Sequence, residues 1–438
     1  MEGALAGPQK WDLIIVGSGA GGLVLALELA KKGFRIAILD RQPHSVSLPR
    51  GEIIQPNGLG LLDRLGLLST LLESDVYRNE RVDFYQASGP LLCAVDYRVL
   101  PPPYAYSLIL LPEVAQKLLL EKVAQVSNIS FFWGATFRSL IYEGSRLSGL
   151  EAEWGGERTI FRAPVVVGGD GARSALREAL RIPCRLHRYV DGYLTMVVDR
   201  PPGFEGESRY YLGRRALFGA FPVSKEKLYL FYMVPSHHLE SLCRGRFDLF
   251  KESLLSFHPS LRSFLEGPLK EVSSWEETSY MPCFRVRCDR WVADGAALMG
   301  DAAHAMNPHV AQGRNTAMND GVVLAEVLEG CFRKGDFSTK ALSVYESRRR
   351  PPVEALQRLG DELTWLWNSG FPPLVWARDR IFRSIHRKQD LHDKILMTIS
   401  GLKEHPFGLI DRWRALHLWG GLLNRSEETG QRISSPDP

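Results

Sequence analysis

Branched aliphatic residues open the chain's first pattern: Asp12 to Val16 reads DLIIV, the uniform apolar run of a parallel strand covered on both faces. Gly17-Ser18-Gly19-Ala20-Gly21-Gly22 follows, Leu23 to Lys32 places apolar residues at helical spacing, and Gly33 supplies a stop. Phe34 to Leu39 returns to strand character before Asp40. The pattern predicts a strand, helix and strand joined by a glycine-rich first turn. A second apolar run from Val165 breaks at Gly169-Asp170-Gly171 and passes into a short helical stretch with Arg173, Ser174 and Arg177. In a third, a short strand from Ala297 meets Gly300-Asp301, and a loop with Pro308 leads through Gly313 to a helix beginning near Arg314-Asn315.

Between these segments the rhythm changes to period two. Tyr189 to Val234 contains YLTMVV, RYYL, LFGAF and LYLFYMV, separated by Gly, Pro and charged turns, which predicts antiparallel strands of a second layer. Its aromatics are Tyr193, Tyr210, Tyr211, Phe218, Phe221, Tyr229, Phe231 and Tyr232, and alternation alone assigns none of them to a pocket. After Arg348-Arg349-Arg350-Pro351-Pro352 the chain turns helical.

Composition narrows the classes. The 438 residues allow two or three packed units, and 45% apolar with 24% charged residues describes an ordinary globular chain. Lys plus Arg is 54 against 50 for Asp plus Glu, and a net charge of +4 is too weak to indicate a nucleic-acid partner. Six scattered cysteines without a CxxC pair argue against a zinc ribbon or a disulfide framework, and the histidines lack a ligand spacing such as HExxH, so no metal is expected. His304 reads as structural. No secretory leader or spanning apolar stretch is evident, which points to a cytoplasmic protein, with attachment to a membrane surface left open.

The glycine spacing carries chemistry. Gly17 permits a tight turn, Gly19 removes the side chain that would block a pyrophosphate, and Gly22 lets helix and strand pack closely. The phosphate then meets free N–H groups at the positive helix end, and Asp40 is placed to accept from ribose hydroxyls. These residues alone leave FAD and NAD(P) as alternatives.

Together, the glycine fingerprint, the DG-type motif at Gly169-Asp170-Gly171 and the GD motif at Gly300-Asp301 resemble, in order and spacing, the FAD-dependent monooxygenases of the aromatic-hydroxylase type (group A). The resemblance implies an α/β fold in which a Rossmann-like FAD-binding domain (8–75, 105–180 and 289–350) is interleaved with an antiparallel β-sheet substrate domain (76–104 and 181–288). Helices (351–425) and a tail (426–438) complete it. FAD is implied as cofactor, with NADH or NADPH as reductant and O2 as co-substrate. Oxygen would pass from a flavin C4a-hydroperoxide to a lipophilic aromatic, quinone-like, polyketide or isoprenoid small molecule, by hydroxylation or epoxidation. The cofactor contacts implied are Gly17, Gly19, Ala20 and Gly22, Asp40 and Arg41 near the adenosine, Arg50 near the phosphates and ribityl chain, Asp170, Gly300, Asp301 and Pro308. Gly313, Arg314 and Asn315 would form the helix end beside the flavin pyrimidine ring. No catalytic side chain is assigned, because the cofactor supplies the chemistry.

The chain departs from that pattern in three places. Val310 or Ala311 stands where relatives often carry glycine, Arg314 where an apolar residue is common, and Leu111-Pro112-Glu113-Val114 where many relatives place an FAD-contacting arginine. A reductase of the geranylgeranyl-reductase type is the alternative reading. A flavin halogenase, for which no WxWxIP string is present, and a non-enzymatic lipid-binding protein rank below it. The GEIIQP string after Arg50 resembles a segment of squalene epoxidases. From Phe371 to Arg425 ten Lys and Arg stand against five acids, interleaved with tryptophans, the composition of a peripheral lipid contact.

Overall fold

The computed structural model describes residues 10–43, 51–204, 206–403 and 408–416. Leu13–Val16 is the fully buried strand that its composition predicts, and it lies inside a six-stranded sheet. Its parallel neighbours are Val165–Gly168 and Ile36–Asp40, and Val165–Gly168 pairs in turn with Ala296–Leu298. The three glycine-bearing turns, far apart in sequence, therefore leave adjacent strand ends at one edge of the sheet, where parallel α/β folds bind ligands. Backbone bonds stitch them together: Gly169 N–H donates to Val16 O at 2.8 Å and Met299 N–H to Gly168 O at 2.9 Å.

The helix Ala20–Ala30 is buried almost all round, and it crosses the helix Gly313–Lys334 at very short range. A Cβ on Gly21 would stand 2.5 Å from Ala317 O, and one on Gly321 would stand 2.5 Å from Gly21 O. Glycine on both helices is what brings the N-terminus of the second helix up to the first turn.

A seven-stranded sheet forms the second layer, in the order Ser279–Cys288, Cys184–Asp199, Lys227–Pro235, Leu217–Pro222, Ser208–Leu212, Arg81–Gln86, Leu91–Asp96. It departs from the all-antiparallel expectation at one pair, since Ser208–Leu212 runs parallel to Arg81–Gln86. The hairpin at 81–96 is separated in sequence from its partner strand Ser208–Leu212 by more than a hundred residues, and so long a connection lets the strand dock in either sense. A second difference concerns Tyr77–Asn79, which pairs with Ser107–Leu110 in a small sheet with Glu52–Ile54 and not in the large one.

The two faces of the large sheet pack differently. One holds Tyr211, Phe218 and Leu230 against the helices Phe247–Leu255 and Leu261–Glu271. The other holds Tyr193, Phe221 and Phe231 with Trp367, Phe382 and Leu396 of the C-terminal helices. Pro351 and Pro352 do not separate those helices from the flavin-side unit. They lie inside one continuous helix, Thr339–Trp367. Interior prolines cost roughly 3 kcal/mol each. Here the neighbouring arginines tie that stretch down, Arg349 to Asp320 at 2.7 Å and Arg350 to Glu346 at 2.5 Å.

Candidate active site

One cavity of about 460 Å³ lies between the sheet edge with the three turns and the inner face of the large sheet. Of the residues singled out in sequence, Gly19, Ala20, Gly22, Gly300, Asp301, Pro308, Gly313 and Arg314 line it. Gly17, Asp40, Arg41, Asp170 and Asn315 stand behind or beside the lining, and Arg50 lies outside the described residues.

Those behind the lining hold it in shape. Gly17 has φ +100° and a Cβ there would stand 2.4 Å from Gly169 O, so the first two turns touch only because this position is glycine. Asp40 Oδ2 accepts from Ser18 N–H at 2.8 Å and Ser18 Oγ at 2.5 Å, fixing the glycine turn, while Arg41 is exposed beyond it. Asp170 turns away from the cavity: Oδ2 accepts from Leu176 N–H at 3.2 Å beside the Ser174 cap of the helix Ala175–Ala179. Burial raises its pKa, against several hydrogen bonds that lower it. Its neighbours Gly169 and Gly171 are the ones that face the cavity.

Asn315 is buried and fully engaged, accepting from Gln55 N–H at 3.1 Å and donating to Ile53 O and Ala311 O at 3.0 Å. It locks the strand Glu52–Ile54 to the loop before the helix Gly313–Lys334. In that loop Ala311 adopts φ +49°, the left-handed conformation that favours the glycine common in relatives. Asp320 anchors the GD turn from below. It accepts from Gly300 N–H at 3.0 Å and contacts His304 Nε2 at 2.5 Å and Arg349 Nε at 2.7 Å. Burial alone would raise the Asp320 pKa, but the His304 and Arg349 partners hold it below the ordinary carboxylate range. His304 is thus part of a buried structural network.

The contacts among several lining groups could not be read from the sequence. Arg314 Nε stands 2.6 Å from Glu52 Oε2 across the cavity wall, so the charge that departs from the family pattern at Arg314 is compensated by a carboxylate distant in sequence. Its Nη1 is buried without a hydrogen-bond partner, a donor in reserve at the cavity edge. Gln116, one turn into the helix Pro112–Ala124, donates to Ser18 O at 2.8 Å and lines the same edge. At the far end stand Tyr193, Tyr210, Phe221, Tyr229, Phe231 and Trp367. His309 Nε2 lies 3.0 Å from the Tyr193 hydroxyl. Burial pulls the His309 pKa down to about 4, so the ring is neutral near pH 7.

Bare backbone at one end of the cavity suits a diphosphate and an anionic ring edge. A Cβ on Gly19 would meet nothing closer than 3.6 Å and one on Gly313 nothing within 4 Å, so the space they leave belongs to the cavity. The helix starting at Gly313 directs its unsatisfied N–H groups and positive dipole there. Fold and site together define an FAD-binding oxidoreductase.

The chain belongs to the family described as "FAD binding domain", whose model matches residues 10–359, and it is an FAD-dependent monooxygenase of the aromatic-hydroxylase-like kind. It is 28% identical over 348 residues to 6-methylpretetramide 4-monooxygenase of Streptomyces rimosus, covering 80% of this chain and 82% of that one. With kynurenine 3-monooxygenase of Salinispora arenicola it shares 27% identity over 421 residues, 89% and 85% of the two chains. The structure of p-nitrophenol 4-monooxygenase from Pseudomonas putida DLL-E4 superposes with a TM-score of 0.77 at 20% identity, covering 90% of this chain and 100% of that one, a likeness of fold.

Proposed function

We propose that the protein inserts one atom of O2 into a lipophilic aromatic, quinone-like or polyketide small molecule at the expense of NADH or NADPH. In balance, substrate C–H, O2, NAD(P)H and a proton give substrate C–OH, water and NAD(P)+. Epoxidation of an isoprenoid double bond is the variant on the same site. The observation that carries the reading is a single cavity that joins a glycine-lined, N–H-rich end to a wall of aromatic side chains. FAD, reduced by the nicotinamide, supplies the activation of oxygen.

The chain's own residues have three tasks. Gly17, Gly19, Ala20 and Gly22 would seat the pyrophosphate, and Asp40, Arg41 and Arg50 would meet the adenosine and phosphates. Gly300, Asp301, Pro308 and the helix end at Gly313 and Arg314 would hold the ribityl chain and ring, with Asp170 and Asn315 keeping the loops in register. Tyr210, Phe221, Phe231 and Trp367 exclude water and offer flat apolar surface to a planar substrate. Oxygen uptake with NAD(P)H and a panel of phenols, quinols and isoprenoids tests this. Substrate-stimulated uptake is expected, whereas anaerobic saturation of a double bond would replace it by the reductase reading.

A peripheral lipid contact is the second element of the proposal, carried by the helix Leu409–Leu416. This helix is built inside out: Asp411 and Ala415 are buried, while Leu409, Ile410, Trp413 and Leu416 are exposed. Trp376 on the neighbouring helix is 62% exposed, with Arg380 over its ring, and Arg387 and Lys403 add exposed positive charge. Apolar rings edged by basic heads match an anionic bilayer surface. No described helix is long and apolar enough to cross a membrane. Full-length protein should co-sediment with phosphatidylserine vesicles, and Ile410→Ser with Trp413→Ser should stay in the supernatant with stability changed by less than about 0.5 kcal/mol. Equal recovery of both in the supernatant rejects the contact.

A further inference from the structure

Among the groups at the aromatic end of the cavity are Tyr193 and His309, and the hydrogen-bond directions around this pair follow from backbone groups that cannot reverse. Thr364 Oγ1 donates to Gly360 O, 2.8 Å away in the helix Thr339–Trp367. Asn307 Oδ1 accepts from His309 N–H at 3.2 Å, which orients the amide so that Nδ2 donates to Thr364 Oγ1 at 2.9 Å. The Thr364 hydroxyl has therefore given its proton to Gly360, and what it shows His309 is a lone pair. His309 Nδ1 faces that oxygen at 3.4 Å. A neutral imidazole in this setting carries its proton on Nδ1 and its lone pair on Nε2.

The consequence reaches the cavity through Tyr193. Its hydroxyl lies 3.0 Å from His309 Nε2, and burial keeps the phenol protonated, so the O–H donates to Nε2. Both groups line the cavity. With its only proton committed, Tyr193 Oη presents lone pairs alone. Turning the O–H toward a ligand would strand His309 Nε2, an enclosed acceptor with no other partner described, at a cost comparable to a lost buried hydrogen bond. We propose that Tyr193 and His309 form a one-way acceptor that selects substrates bringing an O–H or N–H donor, such as a phenol, an enol or a ring N–H, and disfavours ethers and pure hydrocarbons. This deepens the monooxygenase reading and rests on it for the word substrate. It also narrows the choice between hydroxylation and isoprenoid epoxidation, since a hydrocarbon has no donor to offer.

Two measurements test the pair. In 15N-histidine-labelled full-length protein, the resonances lost in His309→Gln should show a protonated Nδ1 and an unprotonated Nε2. The opposite tautomer overturns the proposal, because Tyr193 would then accept from His309 and be free to donate to the cavity. In the FAD-loaded protein, titration of the flavin absorbance with 1-naphthol and with 1-methoxynaphthalene should show the naphthol binding at least about tenfold more tightly. Tyr193→Phe should reduce naphthol to the level of the ether. Equal binding of the two probes to the unmodified protein, or discrimination that survives Tyr193→Phe, also overturns it. The tautomer is read with or without flavin, so a protein that failed to bind FAD would refute the monooxygenase reading while the histidine signal still decided this one.

Discussion

The two ends of the cavity are built on opposite principles. At the sheet edge the lining is backbone: Gly19, Gly22, Gly300 and Gly313 contribute the absence of side chains, and the helix end at Gly313 contributes N–H groups. At the far end it is side chain: Tyr210, Phe221, Phe231 and Trp367 contribute area and shape. Backbone that must approach a ligand closely tolerates no added atom, whereas an aromatic wall exchanges one ring for another at modest cost. The first end therefore suits an invariant cofactor and the second a substrate that differs between relatives.

The contrast breaks hardest at Gly17. Gly17→Val puts a branched side chain at φ +100° with its Cβ 2.4 Å from Gly169 O, and should cost more than about 4 kcal/mol together with retention of FAD. Thermal unfolding and the colour of the purified protein report both. Phe231→Ala at the other end should cost roughly 3 kcal/mol, since the ring packs on Tyr193, Tyr210, Phe221 and Tyr229, yet it should leave FAD bound. If Phe231→Ala releases FAD as completely as Gly17→Val, the division of labour between the ends is wrong.

Acid sharpens the comparison. His309 titrates at about 4 in the folded protein against an ordinary 6.5, so between these values the unfolded chain binds more protons. Its contribution, on the order of 3 kcal/mol, is complete above pH 6.5 and is lost as pH falls toward 4. Asp320, at the cofactor end, is held below the usual carboxylate range, so its contribution survives to more acidic pH. Urea unfolding across pH 4 to 7 should show a slope that His309→Gln flattens. The smallest effect is expected at Ala311, where φ is +49°: Ala311→Gly should relieve left-handed strain and raise stability by about 1 kcal/mol.

The same division explains what could be read from the chain alone. Gly17, Gly169 and Gly300 each sit in a short glycine motif that ends a buried apolar run, so these turns and the strands that carry them could be read locally. The aromatic end depends on which face of the large sheet is covered. Tyr210 and Phe231 face the cavity while the adjacent Tyr211 and Tyr232 pack on the other side, and alternation reveals the period without its phase. Glu52 with Arg314 and Tyr193 with His309 are partners across more than a hundred residues, which no local pattern connects. Pro351-Pro352 looked like a boundary because one of the ion pairs that tie the helix down beside it, Arg349 with Asp320, is tertiary. The C-terminal tryptophans divide: Trp367 closes the cavity, Trp365, Trp376 and Trp413 are exposed, and Trp419 lies outside the described residues.

The central claim is that one cavity brings a flavin and an oxidisable substrate together. Turnover of the FAD-loaded protein with NADH or NADPH under 18O2, with products read by mass spectrometry, tests it most directly. The account predicts a product heavier by one 18O atom, formed only when reductant and oxygen are both present. A product without label, or the same product formed under argon, would contradict it.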